Sequence, residues 1–450
     1  MQGTPLWAVT PFVIYLVLVA VLPLVAESFW ERDRKKLLVG CALSAPVVAY
    51  LLILRGGAGR EAVLHAALDY GAFMALLGAL FTISGGIVLD GAPPATPRVN
   101  AAFLGAGALL ANLIGTTGAS VLLIRPLLRA NAGRSSATHV VVFFIFVVAN
   151  TGGLLTPLGD PPLFLGFLRG VPFAWTFRLW APWLVVNGLL LAIFVAIDRR
   201  AWKKEDRLQG AALDTGGPRA RAWRVEGRLN LLWLALLIAF VVALGLWGDR
   251  LIPRPAARTA TQIAVLGALG IASYLTTARA VRAENQYTWR PLTEVAAVFV
   301  GVFVTMIPAL EYLGERATTL GVVRPGQFFW ASGLLSSILD NAPTYLAFST
   351  LAAGVVGGRP TDTQDLGVLA GHPVGAILLA AVSCGSVMMG ALTYLGNGPN
   401  LMVKSIAESA GVRMPSFPRY LIWSGTILLP VYAAVWLLFF GNASLAGAGL

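Results

Sequence analysis

Apolar runs near the ~20 residues needed to cross hydrocarbon recur along the whole chain, divided by short polar stretches. The pattern predicts crossings near residues 7–26, 37–54, 69–89, 137–170, 173–197, 229–247, 259–277, 292–313, 371–411 and 419–440. Two of these, 137–170 and 371–411, are interrupted by Gly- and Pro-rich polar stretches. Two further apolar segments, 101–129 and 326–354, each carry a polar break in the middle. Each is too long for one simple helix and too short for two crossings, so each reads as a re-entrant hairpin. Irregular backbone at that depth survives only where protein or a watery cavity covers it.

The breaks come in pairs. TPLGDPPL at Thr156 to Leu163 is echoed by TYLGNGPN at Thr393 to Asn400, an offset of 237 (156 to 393). NLIGTTGAS from Asn112 is matched by SILDNAPTY from Ser337, an offset of 225 (112 to 337). Before them, ALFTISGGI from Ala79 resembles VFVTMIPAL from Val302. Each half then has five crossings and one hairpin, and an odd number of crossings inverts the second half relative to the first. The expected fold is an all-α polytopic membrane protein of two inverted repeats with two unwound transmembrane helices. The repeats are 1–198 and 229–450, joined by a basic linker, 199–228. The polar stretch GVVGGRPTDTQDLG accounts for the extra length of the second half.

Composition agrees with a membrane chain: of 450 residues, 57% are hydrophobic and 12% charged. Mean hydropathy is +0.76, far from a soluble domain's balance. The net charge of +12 invites a nucleic-acid reading, but its distribution does not. Nine of the 33 basic residues lie between Arg199 and Arg228, and four more in ERDRKK after the first apolar run. That is the positive-inside signal. With ERDRKK in the cytoplasm, alternation places the linker and the Arg279–Arg290 loop there too. The loop with Arg129 and Arg134 follows if 101–129 enters and leaves on one side. Both termini then fall outside, in a multi-pass protein of the cell's inner (plasma) membrane whose partner is the lipid bilayer. The first span reads as retained, being too long and wrongly flanked for a signal peptide. Two cysteines, Cys41 and Cys384, both in apolar segments, argue against a disulfide framework.

A broken span leaves free carbonyls on one side and free N–H groups on the other. The carbonyl ends suit a cation and the N-termini an anion. The polar residues at the first break are Asn150, Thr151, Thr156 and Asp160, with Gly159 between them, and at the second Thr393, Asn397 and Asn400. The hairpin tips add Asn112, Thr116, Thr117 and Ser120, then Ser336, Ser337, Asp340, Asn341 and Thr344. Asp160 and Asp340 are the carboxylates of the four breaks. A charge at a helix centre costs roughly 2.5–3.5 kcal/mol on insertion scales, which argues for a functional role. Burial favours the protonated carboxyl and a bound cation the ionised one. One aspartate can therefore take either a proton or a metal cation. A cap in a buried turn is the structural alternative for both acids. Na+ is expected at Asp160, Asp340, Asn341 and Asn397. Arg125 and Lys404, just beyond the breaks, are candidate contacts for an anionic substrate, unless they snorkel or neutralise the acids. Glu294 and Asp69 are expected at the membrane interface, and Glu311 and Asp90 in water. The three histidines are scattered near span ends. No cofactor motif or phosphate-binding loop is present in the sequence.

NLIGTTGASVLLIRPLLRAN, NTGGLLTPLGDPPLFLGFLRGVPF, LSSILDNAPTYLAF and TYLGNGPN together resemble the ion transporter superfamily. The similarity covers nearly the whole chain. It is nearest the NhaD-like sodium/proton antiporters, whose relatives are often labelled citrate transporters. The resemblance implies a scaffold domain, a transport domain with two opposed hairpins, a homodimer and elevator-like alternating access. It implies exchange of Na+ (or Li+) for H+, with Asp160 and Asp340 at the acidic positions of the breaks. The divalent anion/sodium symporters of the superfamily carry Ser-Asn-Thr at both tips, and here the tips read GTTGAS and LDNAPT. The main rival is an Na+- or H+-coupled citrate or dicarboxylate symporter. An intramembrane aspartyl protease is a third reading, but its Tyr-Asp and Gly-x-Gly-Asp motifs are missing, and no enzyme activity is expected.

Overall fold

The computed structural model describes residues 3–30, 32–92, 95–209, 221–358 and 365–441. Part of the basic linker, part of the polar stretch after residue 354 and both extreme termini lie outside the described residues. The chain is a bundle of helices. The first half runs α1 (Leu6–Val25), α2 (Glu27–Trp30), α3 (Asp33–Leu54), α4 (Gly56–Ser84), α5 (Pro97–Ala130), α6 (Thr138–Val147), α7 (Pro161–Leu168) and α8 (Trp180–Gln209). The second runs α9 (Leu229–Leu251), α10 (Pro255–Thr276), α11 (Arg279–Glu284), α12 (Arg290–Glu315), α13 (Pro325–Ile338) and α14 (Asn341–Val355). It continues through α15 (Asp365–Gly371), α16 (Pro373–Met389), α17 (Gly398–Ser409) and α18 (Phe417–Phe439). Among the described residues, eleven helical segments are long and apolar enough to cross a membrane: the ten expected crossings and α5. One departure from the all-helical expectation is a short antiparallel pair, β1 (Val88–Ala92) with β2 (Arg221–Glu226), Val88 opposite Glu226. It fastens the exit of α4 to the polypeptide that enters α9.

The centre of the bundle is the pair of interrupted helices. From His139 to Val147 every residue of α6 is buried, as is every residue of α16 from Gly375 onward. Around them, α1, α3, α9 and α10 keep large side chains exposed, among them Leu6, Trp7, Ile53, Leu54, Leu232, Leu246 and Leu275. Apolar surface on that scale is stable only against other apolar matter, here the hydrocarbon of a bilayer.

α5 doubles back on itself. Gly115 takes φ 77°, ψ 156° in its middle, a conformation open to glycine and costly for other residues. Gly107 and Leu123, eight positions either side, are in contact. The amides of Asn100 and Asn131 exchange hydrogen bonds of 3.0 Å, although a straight helix would hold them roughly 46 Å apart. α13 and α14 fold back in the same way about Leu339–Asp340, with the Phe328 and Phe348 rings meeting edge-on at 6.5 Å.

The polar ends form two separate sets of contacts. The basic loops share one end: Thr293 donates to Asp33, Arg125 to Gln286, Arg129 to the Leu89 carbonyl, Arg134 to Glu205, and Asn230 to the Gly86 carbonyl. The other set joins Thr4 to Glu315, Arg55 to Glu311, Arg169 to Asp69 and Arg258 to Asp249. Two basic residues of the cytoplasmic-loop signal are buried, and one expectation about an acid changes. Lys36 is 2% exposed and paired with Glu294. Arg282 is buried between the Tyr274 and Tyr287 rings and donates to the Thr82 and Ser273 carbonyls. Glu311, expected in water, is buried, accepting from Thr4 and Arg55. A charge at a span end is held inside when a neighbouring helix supplies its partner.

Candidate functional site

The two interruptions are built alike. α6 stops at Val147, a 3-10 turn covers Thr151–Leu155, and α7 restarts at Pro161. α16 stops at Met389, the turn covers Gly390–Leu392, and α17 restarts at Gly398. Prolines sit in the first positions of both restarted helices, where the missing N–H costs nothing and the fixed φ suits a helix. Each loop closes by pressing glycine on glycine. A Cβ on Gly159 would lie 2.1 Å from the Gly153 carbonyl oxygen, and one on Gly396 would lie 2.6 Å from that of Gly390.

Each interruption holds one doubled-back tip by the same bond. Thr156 Oγ1 donates to the Asn112 carbonyl at 2.5 Å, and Thr393 Oγ1 to the Ser337 carbonyl at 2.5 Å. These pairs stand at the two offsets of the paired motifs, 237 for the threonines and 225 for the carbonyls. Neighbouring carbonyls are also taken by side chains. Asn150 donates to Ile145, Asn400 to Gly390 and Thr393, and Ser336 to Ser386. The helix C-termini at the breaks therefore already have several protein donors.

The N-termini converge instead. Asp160 is the N-cap residue of α7 and is 1% exposed. Its Oδ1 accepts from Thr116 Oγ1 at 2.8 Å and Asn397 Nδ2 at 3.4 Å, and its Oδ2 from Asn341 Nδ2 at 2.5 Å. Thr116 opens the second half of α5, Asn341 opens α14, and Asn397 caps α17. Four helix N-termini thus meet around one carboxylate, each carrying up to about half a positive charge. Thr116 and Asn341 are themselves related by the 225 offset, and Asp160 and Asn397 by 237. Asn341 Oδ1 is buried without a hydrogen-bond partner. A cavity of about 30 Å³, bordered by Gly115, Thr116, Thr117 and Asp160, has room for roughly one water-sized occupant.

The remaining predicted residues divide by position. Asp340 caps α14 by accepting from the Ala342 N–H at 3.2 Å. The Asn341 N–H also bonds to it, but among the described residues it makes no hydrogen bond to Asp160, Thr116 or Asn397, although it lies within electrostatic reach of Asp160. Asn150 joins the network, donating to Asn400 and accepting from Asn397. Asn112 pins the first turn, accepting from the Leu155 N–H at 2.8 Å. Thr151 bonds to Asn187 of α8, and Ser337 and Thr344 bond back within their own segments. Ser120 is buried with an unpartnered hydroxyl. Arg125 and Lys404 do not touch Asp160 or its donors: Arg125 bonds to Gln286, and Lys404 pairs with Glu408 over the Tyr394 ring.

Sequence reasoning missed the buried knot that anchors this region. Asp198, on α8, accepts from His139 at 2.7 Å, from Arg134, and from Asn100 at 3.2 Å. It ties both ends of α5 to the start of α6. Scattered residues on three helices leave no local motif, so only an acid near a span end beside the basic segment could have hinted at it. Among the described residues, no group of three His, Cys, Asp or Glu side chains could hold a metal ion.

A family model described as Putative citrate transport matches residues 1–440. No curated protein matches the chain.

Proposed function

The chain belongs to the family described as Putative citrate transport, a family of secondary transporters, and from that premise we propose that it carries a citrate-like di- or tricarboxylate coupled to Na+ or H+. The observation that carries this reading is the meeting of four helix N-termini on the buried Asp160. N–H-rich, positively polarised ends bind carboxylates. While Asp160 is ionised it engages the donors of Thr116, Asn341 and Asn397. A proton on Asp160, or a Na+ held by Asp160 with the free Asn341 Oδ1, cancels that charge. The donors can then turn to a substrate carboxylate. Cation first and anion second is a symport order.

On this reading the doubled-back segments are re-entrant hairpins, and the two halves are inverted repeats that alternate access. The shared hydrogen bonds at offsets 225 and 237 support that arrangement. The end that gathers the basic loops faces the cytoplasm by the positive-inside rule. A second reading, exchange of Na+ for H+ at the same carboxylate, is favoured by one observation. Among the described residues, no lysine or arginine hydrogen-bonds to Asp160, Asn341 or Asn397.

Proteoliposomes separate the two. Uptake of labelled citrate or succinate driven by an inward Na+ or H+ gradient, and lost in Asp160→Asn, is the expected result. Collapse of a preset pH gradient by Na+ alone, with no uptake of either acid, would replace symport by antiport.

A further inference from the structure

The end that gathers the basic loops contains a cavity of about 850 Å³ between the end of α5, the start of α6 and the end of α17. It shares no lining residue with the small cavity beside Asp160. Four arginines line it, Arg125, Arg129, Arg134 and Arg413, against one carboxylate, the exposed Glu284. Arg125 donates to the neutral Gln286 at 3.1 Å. Among the described residues neither Arg125 nor Arg413 forms an ion pair.

Two of the arginines keep N–H groups in reserve. Arg134 is locked by Asp198 and Glu205, and its side chain is 3% exposed, yet its Nη2 has no partner. Arg129 gives Nη2 to the Leu89 carbonyl at 2.6 Å, while its buried Nε has none. A buried donor left unmade costs about 1–3 kcal/mol, more for a charged group. Guanidinium forks match carboxylate and phosphate oxygens in geometry as well as charge.

We propose that this cavity binds a small oxyanion, carboxylate or phosphate. Arg125 and Arg413 supply uncompensated charge, and Arg129 and Arg134 supply directed N–H groups. The volume falls within the range of small-molecule pockets, about 300–1,000 Å³. The site does not depend on which ion the protein carries, because its residues are separate from those around Asp160.

The test is calorimetric titration of the full chain in nanodiscs of neutral phosphatidylcholine with sodium citrate and, separately, sodium phosphate, at constant ionic strength. Saturable binding of at least one anion is expected. Arg125→Gln combined with Arg129→Gln should weaken it at least about tenfold, and Arg413→Gln alone about threefold. Asp160→Asn should leave this arginine-dependent binding within about twofold, while removing any citrate held at the Asp160 donors. Because Arg129 also holds β1, the exposed Arg413 is the variant that isolates charge from folding. Repeating the titration in discs containing phosphatidylglycerol identifies the natural source. A fall in apparent affinity assigns the site to a lipid headgroup phosphate, and an unchanged affinity assigns it to a soluble anion. If neither anion shows saturable binding in neutral discs that the arginine substitutions weaken, the proposal is overturned, whatever binding Asp160→Asn removes.

Discussion

The two interrupted helices have the same construction and different chemistry. Both end a buried helix at a glycine pair, both carry a proline in the first turn of the restarted helix, and both hold a doubled-back tip through a threonine hydroxyl. At the matching cap position one has Asp160 and the other Asn397. The asparagine donates to the aspartate instead of duplicating it. One carboxylate shared by four helix N-termini is well stabilised, whereas two in the same place would repel each other in a low-dielectric setting. Two interruptions of like construction can therefore serve a single charge, with the second supplying a donor. The tips differ in the same way. The first turns on Gly115 in the left-handed region, the second on Asp340, which caps its own helix.

Four experiments break or sharpen this comparison. The largest effect is expected from Asp160→Asn. Loss of the charge that answers three donors, each charge-assisted bond worth about 1.5–3 kcal/mol, should lower coupled uptake by about 100-fold or more in proteoliposomes. Next comes Asn397→Asp, which puts a second carboxylate on the same donors. Its melting temperature should fall by several degrees, for a loss of about 1–3 kcal/mol. Because repulsion requires both groups ionised, the deficit should grow as pH rises and shrink as it falls. A pH-independent melting temperature would mean the two caps are not coupled.

Gly159→Ala and Gly396→Ala probe the shared construction. The 2.1 Å and 2.6 Å approaches predict overpacking costs of about 1–3 kcal/mol, larger at Gly159, read as lower denaturation midpoints. Equal losses would show that the second loop relaxes no more easily than the first. The smallest effects are expected from Thr156→Val and Thr393→Val, about 1 kcal/mol each for one hydrogen bond. If the scaffold is symmetric these two should match, while their effects on uptake diverge because only Thr156 shares a loop with Asp160.

The breaks themselves were legible because glycine and proline inside an apolar run end a helix through backbone sterics alone. Asp160 and Asp340 stood out for the cost of a charge at that depth. The relation between them did not. Asp340 looked like an equal partner, yet its carboxylate goes to its own helix cap and Asn341 reaches Asp160 in its place. The breaks were expected to offer carbonyls to a cation, but side chains of Asn150, Thr156, Thr393 and Asn400 occupy several of them. Arg125 and Lys404 lie near the breaks along the chain and not at Asp160 in space. His139, Asp198 and Arg134 were unreadable as a unit, since they come from separate segments far apart in the chain.

The sequence by itself determined that the chain is a set of membrane-length helices, where those helices are interrupted, and that the interruptions come in matched pairs. These properties depend on hydrophobic length, on the φ/ψ limits of glycine and proline, and on the cost of a charge in hydrocarbon, all of which act locally. Only the tertiary structure decided which ends of the broken helices face the carboxylate, which of the paired residues donate to it, and which arginines share a cavity. Those outcomes depend on the direction and crossing of helices far apart in the chain, and a hydrogen bond of about 3 Å is set by that packing and by no property of the residues taken one at a time.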